Sequence, residues 1–179
     1  VYNRPQYACS ALESLSRCQR LEECQLFIFC DGAKSPEQEE SVAATRQAIR
    51  PLAKKLGAEV IERDTNLGLS LSIATGVGDL CREYGRVIVV EDDHLHSPSF
   101  INFMLQSLDR YQDEEKVAQI SGYMFPVKHP VKPDAFFMPQ VTVRGWATWD
   151  RAWKLFDWNA AGALEALTDP QTRYRFELD

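Results

Sequence analysis

The apolar positions of this chain fall into short continuous runs separated by amphipathic stretches. Gln25-Leu26-Phe27-Ile28-Phe29-Cys30 is one such run, and it stops at Asp31-Gly32. A run that short, closed by a turn pair, predicts a buried parallel strand. Arg86-Val87-Ile88-Val89-Val90 is the strongest strand signal in the chain. It is continuous and β-branched, so the strand is expected at the centre of a sheet, covered on both faces. Ala58-Glu59-Val60-Ile61 and Val117–Ile120 predict two more strands, and Phe136-Phe137-Met138 another short one.

Helical signals lie between these runs. Pro5 suits the first turn of a helix, where a missing N–H loses nothing, and that helix is expected to reach about Cys18 with Leu12 and Leu15 inward. Ser35-Pro36-Glu37 opens a second helix with the serine as cap. It carries Val42, Ile49, Leu52 and Leu56 at helical spacing and stops at Gly57. Ser70–Tyr84 predicts a third, in which Gly76 and Gly78 read as close helix packing rather than a dinucleotide fingerprint. Ser97-Pro98-Ser99 starts a fourth that reaches about Tyr111. After Gly122, the prolines 126, 130 and 133 with Lys128-His129 predict a loop. Gly145-Trp146 then leads into a helix from about Ala147 to Phe156. On it Trp146, Trp149 and Trp153 would stand at i, i+3 and i+7, a spacing that reads as core. Trp149 and Trp153 are assigned to that core, and Trp146 is kept as a candidate wall against a sugar ring.

The strand–helix alternation implies an α/β fold: a mainly parallel Rossmann-like sheet flanked by helices on both faces. Val1-Tyr2 reads as the end of a first strand, and Phe176–Asp179 lies within a helical pattern, so both ends are expected to be cut.

The chain has 179 residues, 45% hydrophobic and 26% charged, which is ordinary for a globular domain. Its net charge of −6 argues against a nucleic-acid partner, which needs a basic face. The five cysteines form no CxxC pair and no zinc-like cluster, which suggests thiols in a reducing compartment. No run approaches the ~20 apolar residues of a membrane span.

In open parallel sheets, ligands sit beyond the carboxyl ends of the strands. Asp31 follows one strand there, and Glu91-Asp92-Asp93 follows another. Adjacent carboxylates repel one another unless something positive offsets them. Mg²⁺ or Mn²⁺ commonly binds one or two carboxylates together with substrate phosphates, so the triplet suggests a metal–diphosphate site. The alternative is a solvated acidic turn. His94 and His96 are further candidate ligands, weaker than the carboxylates. Arg4 is a candidate for a base or phosphate contact, and Asp31 for a base or ribose contact.

Tyr2-Asn3-Arg4-Pro5, Asp31-Gly32, Asn66-Leu67-Gly68-Leu69, Val90-Glu91-Asp92-Asp93 and Gly145-Trp146-Ala147-Thr148-Trp149 occur in one order. That order resembles glycosyltransferases of the A-type fold, in bacterial sugar transferases akin to the N-acetylglucosaminyltransferase family of the GNT-I kind. The resemblance implies that Asp93 holds a divalent metal, Mn²⁺ or Mg²⁺, bound to the donor diphosphate. It implies that Glu91 and Asp92 contact the donor and that Arg4 and Asp31 line the nucleoside pocket. It further implies an inverting transfer from a nucleotide diphosphate sugar, UDP-linked by preference, to a hydroxyl acceptor. Residues 1–122 would form the nucleotide-sugar-binding half of a single domain over 1–179, and residues 123–179 the start of the acceptor half. A cytoplasmic location is expected, including the inner membrane face through segments outside these residues.

The sequence departs from that pattern in two places. Ser70 stands where some relatives carry a histidine. Relatives also place the catalytic carboxylate beyond the Gly-Trp segment, where this chain ends, which leaves Asp150 as a weak candidate base and Asp157 as its neighbour. A sugar nucleotidyltransferase, or a nucleotide-binding module without turnover, are the alternative readings.

Overall fold

The computed structural model describes residues 1–124, 135–139 and 141–177. The proline-rich loop expected around Pro126, Pro130 and Pro133 lies outside the described residues. Helix α1 spans Pro5–Leu15, with Pro5 in its first turn. Strand β1 is Phe27–Cys30. A 3₁₀ turn at Pro36–Gln38 precedes α2, Glu39–Leu56, so the helix proper starts three residues later than the serine cap suggested. Gly57 ends α2 at φ +65°, a left-handed conformation that glycine takes without penalty. Then follow β2 (Glu59–Glu62), α3 (Leu69–Tyr84), β3 (Arg86–Val89), α4 (Phe100–Arg110) and β4 (Ile120–Ser121).

The last third departs from expectation. Trp146–Trp149 is a strand, β5, and only Asp150–Trp153 forms a helical turn, α5. The helical spacing of the tryptophans is therefore coincidental. Phe136, Phe137 and Met138 form no strand and are largely exposed. Two further helices close the described chain, α6 (Ala163–Ala166) and α7 (Pro170–Glu177).

β1 and β2 pair in parallel, with Ile28 opposite Val60. Val1 extends this ladder on the other side of β1: its amine donates to the Phe29 carbonyl (2.7 Å), and its carbonyl accepts from the Asp31 N–H (3.2 Å). That is the bonding of a parallel bridge opposite Cys30. The second ladder has the order β3-β5-β4, with β5 antiparallel to both neighbours. The fold is mixed α/β, and the sheet is less parallel than the strand–helix alternation suggested. β3 is an edge of its ladder rather than the centre, because β5 takes the position between β3 and β4.

Helices cover both faces. Ile28 and Cys30 pack with Ala8 and Leu12 of α1 and Ile49 and Ala53 of α2. On the opposite side Phe29 lies against Gly76 of α3, where a β-carbon would come within 3.3 Å of the ring. α3 continues onto the second ladder through Val77 and Cys81, which meet Val87, Val89 and Trp146. Ile88, Ala147 and Trp149 face the other way, into the cluster around Met104, Leu105 and Leu108 of α4. α1, whose Leu15 joins the α4 cluster, and α3 bridge the two ladders from opposite faces. None of the described helices is long and apolar enough to cross a membrane.

Candidate functional site

The acidic triplet leaves the carboxyl end of β3 as a turn, in which the His94 N–H bonds the Glu91 carbonyl at 3.3 Å. Arg4, the residue before α1, reaches across to it. One guanidinium nitrogen is in contact with the Asp92 carboxylate and the other lies 3.5 Å from Asp93. Burial works against the Arg4 charge, but the Asp92 and Asp93 carboxylates outweigh it and hold the guanidinium above its ordinary pKa. The Asp92 side chain is 8% exposed and the Asp93 side chain 44%. Asp92 is therefore the fixed member of the pair and Asp93 the member open to a ligand. Glu91 is half-buried and is placed on the same turn.

A second tether holds this loop to α1. The Ser14 hydroxyl accepts the His96 backbone N–H (3.0 Å) and meets the His96 ring Nδ1 at 3.1 Å. The ring packs on Phe100 at 4.7 Å between centroids. Burial, with the neighbouring His94, pushes the His96 pKa down to about 4. His96 is thus a neutral anchor of the loop, a role that its sequence spacing did not reveal. His94 lies nearer the triplet: its Nε2 is 3.6 Å from Asp93, while its Nδ1, like the Nε2 of His96, is buried without a hydrogen-bond partner.

Asp31 is buried, 6% exposed. Its carboxylate accepts the backbone N–H groups of Leu67 and Gly68, each at 3.0 Å, and lies 3.9 Å from Arg63. It therefore shapes the Asn66–Gly68 turn directly, and that turn opens α3. Arg46 of α2 gathers the carbonyls of Cys30, Asp31 and Arg63, which locks the carboxyl ends of β1 and β2 together. Asp31 and the triplet share an edge of the molecule. The Asp31 N–H bonds Val1, and three residues later Arg4 bonds Asp92 and Asp93. Three residues of extended chain reach about 10 Å.

Trp146 is 5% exposed, packed among Val77, Cys81 and Trp153. A ring that deep has little face to offer a sugar. Trp149 is core as expected, with its indole N–H donating to the Leu108 carbonyl at 3.2 Å. Trp153 is the less buried of the three, stacked on the exposed Phe156 at 4.6 Å. Trp153 still packs against the core cluster of Val77, Cys81 and Trp146, whereas Trp146 and Trp149 are buried on opposite faces of β5, because a strand sends alternate residues to opposite sides.

Asp150, the weak candidate for catalytic base, lies away from the triplet. Because β5 runs antiparallel to β3, Trp146 lies opposite Val89 and Trp149 opposite Arg86. Asp150 follows, its N–H bonded to the Gly85 carbonyl at 2.8 Å and its carboxylate paired with Lys154. It sits at the start of β3, while the triplet sits at the end. The run from Gly85 to Glu91 spans about 20 Å at ~3.3 Å per residue. Asp157 is exposed, and its carboxylate accepts the N–H groups of Asn159 and Ala161.

The same antiparallel pairing brings forward a residue that was not singled out. Arg144 lies two positions before Trp146, on the triplet's side of the sheet, exposed, with its guanidinium 5.6 Å from the Tyr123 ring centroid. Gly145 turns the chain there at φ +61°, against Phe100. Only the strand assignment of β5 reveals this placement.

Among the described residues no three His, Cys, Asp or Glu side chains form a ready-made metal cage. The donor chemistry of Asp92 and Asp93 still fits a hard cation. Two carboxylates share one positive group, and Mg²⁺ and Mn²⁺ take the rest of their shell from water and phosphate oxygens. A cavity of about 600 Å³ lies elsewhere, between α2 and the end of β2. Its arginines 46, 50 and 63 are matched by Glu39, Glu62 and Asp64, so it carries no net charge for an anion.

Comparison with models of protein families, with curated proteins and with solved structures gave no match in any of the three.

Proposed function

We propose that this chain binds a nucleotide diphosphate sugar at the edge formed by Arg4, Asp31 and the Glu91–Asp93 turn, and that it serves a metal-dependent, inverting glycosyl transfer. The observation that supports this most is the Arg4 bridge: one cation shared by Asp92 and Asp93 beyond the carboxyl end of β3. Ligands of α/β sheets gather at such ends. The order of sequence motifs described above points the same way.

Asp93, the open carboxylate, would hold Mn²⁺ or Mg²⁺, with Asp92 orienting it from beneath. Bound there, the metal would offset the charge that builds on the departing diphosphate. Arg4 and Arg144 bring two further positive groups to the same edge. Glu91 would contact the donor, while Asp31 would keep the Asn66–Gly68 turn in shape beside the nucleoside. In the transfer, the acceptor hydroxyl gives its proton to a base and its oxygen bonds the anomeric carbon. The bond from that carbon to the diphosphate breaks, and the nucleotide diphosphate leaves. None of the described carboxylates is assigned as that base. Five thiols without a disulfide accord with a reducing compartment.

The test is to incubate the chain with UDP-sugars, Mn²⁺ and a set of hydroxyl acceptors and follow UDP release by chromatography against reactions lacking acceptor, beside a second reaction of sugar 1-phosphate with UTP. UDP release that depends on both metal and acceptor supports glycosyl transfer. Pyrophosphate formation in the second reaction instead would assign a nucleotidyltransferase. Metal-dependent UDP binding without release would assign a binding module.

A further inference from the structure

We propose that Arg4 is an exchangeable counter-ion. In the free protein it neutralises Asp92 and Asp93; an arriving divalent cation displaces it, and it then turns onto the diphosphate that comes with the cation. The last step rests on the functional reading above.

The geometry separates fixed from movable partners. The Asp92 side chain is nearly covered, whereas Arg4 is 45% exposed and Asp93 nearly as much. Arg4 caps α1 with φ −124° and ψ 77°; its carbonyl accepts the Ala8 N–H at 3.0 Å, but its side chain makes no capping bond to the helix. No secondary structure therefore has to break when its side chain moves. A second resting place is at hand, because the guanidinium already lies 5.4 Å from the centroid of the Tyr7 ring, which is exposed.

Charge decides the exchange. Two carboxylates and one guanidinium sum to −1, whereas two carboxylates and a divalent cation sum to zero. Keeping Arg4 in the gap as well would leave +1 and set two cations against each other at contact distance. The cation therefore has to evict Arg4. An evicted guanidinium at a sheet edge is a ready fork for phosphate oxygens. It follows that metal alone binds weakly, since it must break the Arg4 pair with nothing in return. Metal and diphosphate together bind with positive coupling, because the diphosphate gives Arg4 a new partner. His94 lies 3.6 Å from Asp93, about as far as the Arg4 nitrogen at 3.5 Å; the close contact that a cation has to displace is that of Arg4 with Asp92.

The experiment is calorimetric titration of Mn²⁺ alone, and then of UDP at saturating Mn²⁺, into the parent, Arg4→Gln, Arg4→Lys and Asp93→Asn, each first checked by circular dichroism and thermal melting. An exposed arginine shared by two carboxylates is a modest pair, so Arg4→Gln is expected to bind Mn²⁺ about two- to fivefold tighter than the parent and UDP several-fold weaker. Arg4→Lys keeps the charge and should bind Mn²⁺ close to the parent. Unchanged or weaker Mn²⁺ binding by Arg4→Gln, with Asp93→Asn still losing it, would overturn the exchange and leave the metal site standing. Equal tightening by Gln and Lys would also overturn it, because loosened packing rather than charge would then be the cause. Absence of Mn²⁺ binding in every variant, with or without UDP, would overturn both the exchange and the metal-dependent reading.

Discussion

Asp150 and Asp93 lie at opposite ends of the same strand: Asp150 beside Gly85 where β3 begins, Asp93 on the turn where β3 has ended. The separation follows from the antiparallel pairing of β5. It sets the nearest carboxylate downstream of Gly145 a strand's length, about 20 Å, from the triplet.

Asp150→Asn should therefore leave donor binding and UDP release within about twofold of the parent. Its exposed pair with Lys154 contributes at most about 1 kcal/mol, so the melting temperature should move by only a few degrees. Loss of UDP release in a folded Asp150→Asn protein would return Asp150 to the role of base.

Ser14 is the point at which the acidic loop is fastened to α1. Ser14→Ala leaves the buried His96 N–H and ring without their oxygen, a loss of about 1–3 kcal/mol. Urea denaturation should show that drop. Hydrogen exchange should show faster opening at His96 than at Leu12. Uniform destabilisation with no local change at His96 would count against the tether.

Stability should also depend on pH through His96. Its pKa is about 4 in the folded chain, below the ordinary value of 6.5. Between these values the unfolded chain binds the proton and the folded chain does not, so folding stability falls as pH drops from 6.5 toward 4. Above pH 6.5 both states are neutral there, and this contribution is flat. Denaturation midpoints at pH 7, 6, 5 and 4 check this: His96→Gln should show a shallower decline than the parent. Parallel curves for the two proteins would assign the decline to other groups.

Asp31 predicts a structural phenotype before a binding one. Asp31→Ala leaves the half-buried Leu67 N–H without its acceptor and the Gly68 N–H with Asn66 Oδ1 alone, at 3.1 Å, a loss of about 1–3 kcal/mol. The expected result is a destabilised protein whose amide signals shift at residues 66–68. Undisturbed signals there, with UDP binding lost, would instead make Asp31 a ligand contact.

Much of this arrangement was legible in the sequence, and the reasons for the rest are physical. The apolar runs before Asp31 and Glu91 announced β1 and β3, and Pro5 and Gly57 marked a helix start and a helix end, because these signals are local. The spacing of Trp146, Trp149 and Trp153 suits a helix as well as it suits a strand followed by a turn. Only the pairing of Ala147 with Ile88 and Ile120 decides between them, and that is a long-range fact. The same limit hid the exposed position of Arg144 and the burial of Trp146. It also hid the edge position of β3, whose β-branched run resembles that of a central strand. Asp92 and Asp93 were visible as acids, but their common partner Arg4 lies far away in sequence.

The measurement that bears most directly on the account is calorimetric titration of UDP into the parent and into Asp93→Ala, each with and without Mn²⁺. The parent should bind UDP tightly only with Mn²⁺, and Asp93→Ala should lose that metal-dependent gain, a change on the order of several kcal/mol for an unpaired diphosphate. Equal UDP binding by the two proteins, unaffected by Mn²⁺, would contradict the account.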